Sequence, residues 1–259
     1  MRRPSDHVAR AWGLALMLAM LPSILPAQEG TWTVSAGGGY GYVFLNAVKG
    51  DMDRDVRGYN SAGLLLPPFP SPSSALALEG KATYRFDREF SWSFTFNSSS
   101  RTVGTSWEDG TYAISLERTL SSITAMLGLG YHLPTGYDQD LYIEVQLGYL
   151  FAKATSSADW TKSTKVADST GTYVNVMETL DDTRAKFTKS KLIVAATLGG
   201  TLRISGPFFI RGEASYRFGQ IGTIDGTKTQ YGQSVPQTTS IEFDFSGIFL
   251  TAGLGIEFD

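Results

Sequence analysis

The stretch that decides the fold is residues 246–259, which read S-G-I-F-L-T-A-G-L-G-I-E-F-D. From Ile248 to Phe258 every second residue is apolar, and most of the residues between them are small or polar. Successive side chains of a β-strand point to opposite faces, so the stretch is predicted to form a strand with one fully apolar face. Any half-buried strand alternates in this way, so one such stretch does not identify the fold. The prediction rests on the repetition of this pattern along the chain.

The same alternation recurs throughout the chain after residue 30, and it predicts eight strands, with ten left open. We find no helical periodicity of 3.6 residues that competes with it. A change of parity near Ser121 and Ser122 is interpreted as a β-bulge, and a second bulge at Ser246 and Gly247 is predicted to offset the start of the closing strand at Ile241. The predicted strands cover residues 31–46, 75–86, 89–101, 112–133, 141–154, 192–204, 208–218 and 246–258.

The connections between these strands alternate between short turns and long loops. Long segments cover residues 47–73, 155–188 and 222–240, and the polar segment 155–188 leaves room for strand extensions. The segment 47–73 begins with charged residues and ends in a leucine- and proline-rich stretch, which includes residues 64–69. We expect this apolar stretch to cap the mouth of the fold or to pack on neighbouring loops; an adhesive segment or a lid over a hydrophobic opening is the alternative.

The front of the chain has the layout of a secretory signal peptide. A basic start is followed by the apolar run 11–21, and cleavage is predicted after Ala27. This run is shorter than the roughly 20 residues that a membrane-spanning helix needs. Residues 28–259 then form one domain, with no further module expected after the last strand. The chain contains no Cys, so its fold needs no disulfides, and its net charge of -3 without basic runs argues against nucleic acid as a partner.

Two architectures compete for such a chain, because alternation does not say which face points inward. A soluble lipocalin-like barrel keeps its apolar face inside, whereas a membrane barrel turns that face toward lipid. The polar face is mostly Gly, Ser and Thr, which is too small and too sparsely charged for a solvent-exposed surface. Its charges nearly balance, as suits a closed interior. Both features favour the membrane barrel.

The aromatic residues support the same choice, because they fall in two groups at opposite ends of the strands. Aliphatic residues fill the positions between the groups. The short-turn group is Trp32, Tyr84, Phe86, Phe90, Trp92, Tyr131, Phe208 and Phe258, and the long-loop group is Tyr40, Tyr42, Phe44, Tyr149, Phe151, Tyr216 and Phe218. The sequence therefore predicts an all-β fold, a closed antiparallel transmembrane β-barrel of eight strands. Closure is required because lipid does not satisfy an open strand edge.

An exported chain with eight alternating strands and a final Gly-Ile-Glu-Phe run resembles small bacterial outer-membrane β-barrels of the OmpA, OmpX and OmpW type. The resemblance covers the whole mature chain and rests on pattern rather than on a family motif. It implies residence in the outer membrane, short periplasmic turns and long extracellular loops. It also implies contact with outer-membrane lipid and with the barrel-assembly machinery, for which Phe258 would be the C-terminal assembly signal.

Charged residues on the polar face are the main candidates for a functional or structural network. The interpretation favoured from the sequence is a salt-bridged core that fills a narrow barrel, and the alternative is a polar path for small solutes. Glycines on the same face either leave local water-filled volume or relieve crowding. The candidate network consists of Glu79, Lys81, Arg85, Glu144, Arg203, Arg211, Glu213, Arg217 and Glu257.

The sequence offers no catalytic constellation. His132 is the only His after the signal peptide, and we expect it to form hydrogen bonds at the rim near the short turns. With no Cys and no second His, neither a metal site nor a cofactor site is indicated. The function expected is a structural or surface-interaction role, with an extracellular ligand reached through loops 47–73 and 155–188. The alternative is a narrow transport barrel for small or hydrophobic solutes, and an enzyme is not expected.

Overall fold

The computed structural model describes residues 30–43, 46–61, 63–71, 74–135, 138–167, 172–238 and 243–258. The predicted signal peptide, Phe44 and Ile241 lie outside these residues. The elements in chain order are β1 (Thr31–Val43), α1 (Asn46–Ser61), β2 (Ser74–Arg85), β3 (Phe90–Glu108), β4 (Tyr112–Pro134), β5 (Gln139–Ala167), β6 (Tyr173–Ser205), β7 (Phe208–Phe218), β8 (Gln220–Gly222), β9 (Asp225–Gln230), β10 (Gln233–Thr238), β11 (Phe243–Asp244) and β12 (Gly247–Phe258).

Antiparallel pairing joins eight of these strands into a ring. Strands β1 to β7 pair in sequence order, and β12 pairs with both β7 and β1. The predicted all-β, antiparallel architecture is therefore confirmed. We call the end with the β2–β3, β4–β5 and β6–β7 connections the short-turn end, and the opposite end the long-strand end.

The pairing of the first and last strands follows the alternation that the sequence shows. Trp32 lies opposite Phe258, Ala36 opposite Leu254 and Tyr42 opposite Ile248, so the apolar positions of β1 and β12 share the outer face. A shift of one residue would turn the apolar face of one strand inward, and the register is therefore fixed by the pattern itself.

Three strands are longer than the sequence predicted. Strand β3 runs to Glu108, and β5 and β6 extend as one long hairpin to Ala167 and from Tyr173. Most of the predicted loop 155–188 is therefore strand. Because β7, β12, β1 and β2 stop lower, the strands β3 to β6 rise above the rest of the ring at the long-strand end.

The predicted bulge near Ser121 and Ser122 is wrong. Both residues keep their register with β3 and with β5, and even-numbered residues of β4 face inward from Ile114 to His132. What changes is the chemistry of the two faces. Below Ser122 the outer face is apolar, whereas above it the inner face carries the apolar residues Leu120, Leu116 and Ile114. The change of parity therefore marks the level at which the apolar residues of β4 switch from the outer face to the inner face.

The expectation that no helix follows residue 30 is also wrong, because α1 covers residues that were assigned to a loop. Val48, Met52 and Val56 are spaced by four residues, which places them on one face of a helix. All three are fully buried against the inner wall of the ring. Tertiary packing of this one face outweighs the weak helix propensity of Gly50 and Gly58. No helix in the described part of the chain is long and apolar enough to cross a membrane.

The segment between β7 and β12 is more ordered than a simple loop. Strands β9 and β10 form a hairpin whose first strand pairs with β6, and β8 pairs with β11 in a small separate sheet. The register irregularity lies between Phe243 and Asp244, and β12 begins regularly at Gly247. The bulge predicted at Ser246 and Gly247 is therefore wrong: the offset precedes those residues.

Candidate functional site

The inner space of the ring is the candidate site, and it contains two layers of different chemistry. All nine charged residues predicted for the interior occupy inward positions on the strands of the ring. Three of them, Arg85, Arg203 and Glu257, lie at the rim of the short-turn end and are partly exposed. The other six are buried above the rim and form what we call the charged layer: Glu79, Lys81, Glu144, Arg211, Glu213 and Arg217.

Three cations and three carboxylates in the charged layer form one connected network. Glu79 accepts hydrogen bonds from Arg211 at 2.8 Å and from Arg217 at 3.4 Å. Lys81 donates to Glu213 at 2.6 Å and also pairs with Glu144. Arg211 lies 3.4 Å from Glu213 and so joins the two halves. Each buried charge has an opposite partner, which removes most of the cost of taking it out of water.

Neutral polar side chains complete this layer, and none of them was among the residues predicted for the network. Tyr142 donates to Glu213, Ser93 donates to Glu144, and Asn97 accepts from Arg217 at 2.9 Å. Gln146 donates to Thr95 at 3.0 Å. All of them lie at inward positions of strands whose polar face is evident in the sequence. Which of these side chains meet depends on how the strands are staggered around the ring, and the alternation does not give that stagger.

Glycines on the inner face leave room for these side chains. A Cβ atom at Gly128 would collide with the carboxylate of Glu144, and one at Gly199 would collide with the ring of Tyr142. The glycines therefore relieve crowding beside large polar side chains, which is one of the two interpretations that the sequence allowed.

The rim of the short-turn end carries a second, smaller cluster. Arg85 pairs with Asp140, and Nδ1 of His132 lies 2.6 Å from both Arg85 Nη2 and Asp140 Oδ2. Nε2 of His132 is 2.8 Å from the hydroxyl of Ser91. His132 thus forms hydrogen bonds at the rim as predicted, whereas Asp140 lies just outside the predicted strand 141–154 and was not among the candidates. On the opposite side of the rim Arg203 pairs with Glu257.

A polar cavity of about 190 Å³ lies between the rim and the charged layer. Its lining includes Ser35, Thr83, Tyr142, Thr201 and Arg203. Among the described residues there is no group of three or more His, Asp or Glu side chains that could hold a metal ion. Hydroxyl groups and paired charges such as Arg85–Asp140 and Arg203–Glu257 make up much of the cavity lining.

Above the charged layer the interior becomes apolar, and we call this region the apolar plug. It consists of α1, residues 64–69, the β8–β11 pair and the inward residues of the tall strands. The strand residues include Val103, Ile114, Leu116, Leu120, Leu150 and Ile193, all of them buried in one cluster with Val48, Met52 and Val56.

Helix α1 is fixed to the inner wall by an ion pair as well as by apolar packing. Arg118 on β4 donates to Asp51 at 2.9 Å and also pairs with Asp55. Burial, the largest effect, raises the pKa of Asp55 above its usual value, although the neighbouring Arg118 acts in the opposite direction. The helix is therefore held to the inner wall by Asp51 and Asp55 as well as by its apolar face.

The leucine- and proline-rich segment belongs to the same plug. Leu66 and Phe69 are buried in the apolar cluster, whereas Leu65 is exposed. The side chain of Asn60 bonds both the N–H and the C=O of Leu66, and Thr105 donates to the C=O of Pro67 at 2.8 Å. The segment thus caps the mouth of the ring, as the sequence predicted.

The outer face of the ring has the opposite chemistry. Large apolar side chains are exposed around its middle, including Leu127 and Val145, which are 64% and 59% exposed. Aromatic residues lie at both ends of this band, for example Trp92 and Phe208 near the short turns and Tyr149 and Phe218 at the other end. Above the band the outer face of β3 to β6 is mostly polar, for example at Glu117, Ser157 and Thr188, whereas Val166, Val176 and Met177 are exposed near the tip of the β5–β6 hairpin.

No protein-family model and no curated protein matches the chain. Several solved structures do match it. OprG of Pseudomonas aeruginosa is 13% identical, with a TM-score of 0.45 over 88% of this chain and 96% of OprG. Ail of Yersinia pestis, in complex with the heparin analogue sucrose octasulfate, is 16% identical, with a TM-score of 0.42 over 89% of this chain and 100% of Ail.

A major outer membrane protein of Thermus thermophilus is 10% identical, with a TM-score of 0.46 over 89% of this chain and 100% of that protein. OprG and the Thermus protein are outer membrane proteins, and all three TM-scores lie below 0.5.

Proposed function

We propose that the chain is an integral outer-membrane β-barrel with a sealed interior, and that it acts through the surface at its long-strand end in a structural or interaction role. The observation that carries this proposal is the division of the interior into a paired charged layer and an apolar plug. Residues 1–27 would direct export, and the barrel would be formed by residues 28–259.

The outer face supports insertion into a bilayer. Large exposed apolar side chains are concentrated in one band, which would be costly in water and is favourable in lipid. The aromatic residues at both edges of the band match the two interfaces of a membrane. Pairing of β12 with β1 leaves no strand edge in the band, as lipid requires.

The filled interior supports a sealed barrel rather than a transport barrel. Eight strands enclose a space that side chains about fill. In the charged layer each ion has a partner, and the apolar plug adds a second barrier in which Met52 and Met126 are fully buried. An ion crossing the barrel would have to displace side chains of both the charged layer and the apolar plug.

The tall strands support a role at the cell surface. Strands β3 to β6, together with α1 and the β9–β10 hairpin, would project from the membrane and present a polar outer wall. The segments 47–73 and 155–188 both belong to this projection, and an extracellular ligand would be reached through them. Outer-membrane lipid and the assembly machinery would be the other partners.

Recordings in planar lipid bilayers test the function. We expect the purified chain to show no steady channel openings, because the apolar plug and the charged layer close the interior. Steady openings whose size changes in Arg211→Ala or Glu213→Ala would overturn the sealed barrel and favour transport of small solutes.

Cysteine labelling tests insertion. Single cysteines at Leu127, Val145 and Leu198 should be protected from water-soluble thiol reagents in membranes, because their side chains face lipid. The matched controls are cysteines on the same faces of the same strands above the apolar band, at Glu117, Ser157 and Thr188, which should react rapidly. Equal labelling of the two sets would contradict a transmembrane barrel.

A third prediction concerns Phe258, the proposed assembly signal. It lies opposite Trp32 on the outer face, at the last pair of the β1–β12 ladder. Phe258→Ala removes an aromatic side chain whose burial in lipid is worth about 1.5–3 kcal/mol. We expect a lower fraction of folded, heat-modifiable barrel on unheated gels. Glu257→Gln, one residue earlier on the inner face, is the control, and equal assembly of parent and Phe258→Ala would refute the role.

A further inference from the structure

Two lysines lie on the outer face of the ring, just above the apolar band. Lys153 on β5 lies between Ala152 and Ala154, which are buried in the apolar plug, so its own side chain points outward. Lys186 on β6 is exposed and precedes Phe187, which packs against the plug from the inner face. Both cations therefore face away from the interior of the ring.

The strand register places the two lysines at opposite corners of a square. Lys153 is directly opposite Thr188, and Thr155 is directly opposite Lys186. Diagonal neighbours of this kind lie about 7–8 Å apart, so two long lysine side chains can reach one shared ligand. The threonines fill the other two corners. We call these four residues the lysine–threonine square, and it presents two ammonium groups and two hydroxyl groups on one face.

The positive charge of the lysine–threonine square is not neutralised by the protein. Within the part of the chain that the structure describes, neither lysine forms an ion pair. The next outward charges on β5 and β6 pair with one another, because Arg184 contacts Asp182 at 2.9 Å and Asp159 at 4.0 Å. These carboxylates are engaged by their own arginine, and the two lysines therefore remain available to an anionic ligand.

The height of the square above the apolar band matches the head-group layer of a bilayer. Phe151, an exposed aromatic residue at the edge of the band, precedes Lys153 and Thr155 on the outer face of β5. With a rise of about 3.3 Å per residue and a strand tilt of about 40°, these two positions lie about 5 and 10 Å above Phe151. Head groups extend about 5–7 Å beyond the hydrocarbon core, and lysine stems bend toward that layer. Both ammonium groups therefore reach the level of the lipid phosphates.

We propose that the lysine–threonine square binds the head group of a lipid in the leaflet at the long-strand end, and that this head group carries a phosphate monoester. The site rests on the proposed insertion into a bilayer. A phosphate monoester carries about -1.5 to -2 charges at neutral pH and three strong acceptor oxygens. Two lysines match this charge, whereas a phosphate diester offers them only a single negative charge. The acyl chains of the lipid lie along the band, where Phe151 and Ile123 are exposed opposite each other.

Native mass spectrometry of the folded chain in detergent micelles tests the site. Phosphatidic acid is the monoester probe and phosphatidylglycerol the diester probe. We expect one phosphatidic acid to be retained per chain, more tightly than phosphatidylglycerol. Lys153→Gln and Lys186→Gln should each weaken the binding of phosphatidic acid about fivefold, and the double variant about 25-fold.

Lys165→Gln is the matched control, because it removes the same charge from the same strand about 40 Å farther from the band. It should leave the affinity unchanged, and replacement of both lysines of the square by arginine should preserve binding. Equal affinity of the parent and the double glutamine variant would overturn the site. Equal retention of the two lipids by the parent would overturn the monoester, and displacement of the lipid by equimolar inorganic phosphate would overturn the choice of a lipid.

Two further measurements separate this site from the insertion on which it rests. Unheated gels show whether each variant is folded, and if a glutamine variant is not, the comparison of the two lipids on the parent still decides. The cysteines at Leu127, Val145 and Leu198 report on insertion without touching the square. Protected cysteines together with no preference for phosphatidic acid overturn the lipid site alone, whereas rapid labelling of these cysteines overturns the insertion itself.

Discussion

Glu79→Ala should strongly destabilise the ring of eight strands. The carboxylate is fully buried and is shared by Arg211 and Arg217. After its removal Arg211 keeps a contact with Glu213 at 3.4 Å, whereas Arg217 retains no carboxylate, only the amide of Asn97 and the ring of Phe249. Breaking a buried pair in this way costs about 3–5 kcal/mol, because an uncompensated charge remains. Urea unfolding of the protein in lipid vesicles, followed by tryptophan fluorescence, measures the loss.

Glu257→Ala is the matched control for Glu79→Ala. It also removes a carboxylate that pairs with an arginine on the inner face, but this pair lies at the rim and its carboxylate is 31% exposed. Partly exposed pairs are worth about 0–1 kcal/mol, so we expect a small effect. Adding Arg217→Met to Glu79→Ala should recover part of the stability, because it removes the cation left without a carboxylate. Equal losses for Glu79→Ala and Glu257→Ala would contradict a buried network.

The alternation of the sequence was sufficient to predict which strand faces are apolar and where most strands lie. It placed Glu79 and Lys81 on the inner face of β2, and Arg211 and Glu213 on the inner face of β7. It did not predict which of them meet, because Lys81 reaches Glu144 on a strand that is not its neighbour. That contact depends on the stagger of the strands around the ring, which a single sequence does not encode in any local pattern.

The errors in the upper part of the barrel have one physical cause. Alternation shows which face of a strand is apolar, but not whether that face points into or out of the ring. In the lower part of the ring the apolar residues point outward, whereas in the upper part they point inward to the apolar plug. Leu116 and Leu120 are apolar because they face the plug, whereas Leu127 and Leu129 are apolar because they face outward. The sequence therefore shows a change of parity without any bulge in the strand.

Helix α1 was missed for a related reason. Three apolar residues spaced by four are a short signal among charged residues and glycines, and such a segment is marginal as an isolated helix. It becomes a helix because the inner wall of β3 to β6 offers an apolar surface and Arg118 offers an ion pair. The wall itself was not predicted, so the partner that stabilises the helix was missing from the sequence analysis.

Met52→Asp should detach α1 from the wall and open the apolar plug. Met52 is fully buried at the centre of the buried helix face, between Val48 and Val56. Removing a buried Met side chain costs about 2–5 kcal/mol, and an unpaired carboxylate in its place adds the cost of burying a charge. The remaining contacts of the helix, which are Val48, Val56 and the ion pairs of Arg118 with Asp51 and Asp55, do not offset this cost. We therefore expect local unfolding of residues 46–71 while the ring of eight strands stays folded.

Limited trypsin digestion of the protein in membranes measures this release, because α1 carries Lys49, Arg54 and Arg57. In the parent these sites belong to a packed helix and should be cut slowly, whereas Met52→Asp should be cut rapidly. Gly50→Asp is the matched control: it adds the same charge to the same helix at an exposed position, where an added Cβ meets no atom within 4 Å. If Met52→Asp resists trypsin as well as Gly50→Asp does, then α1 is not held by its buried face, and the apolar plug does not depend on it.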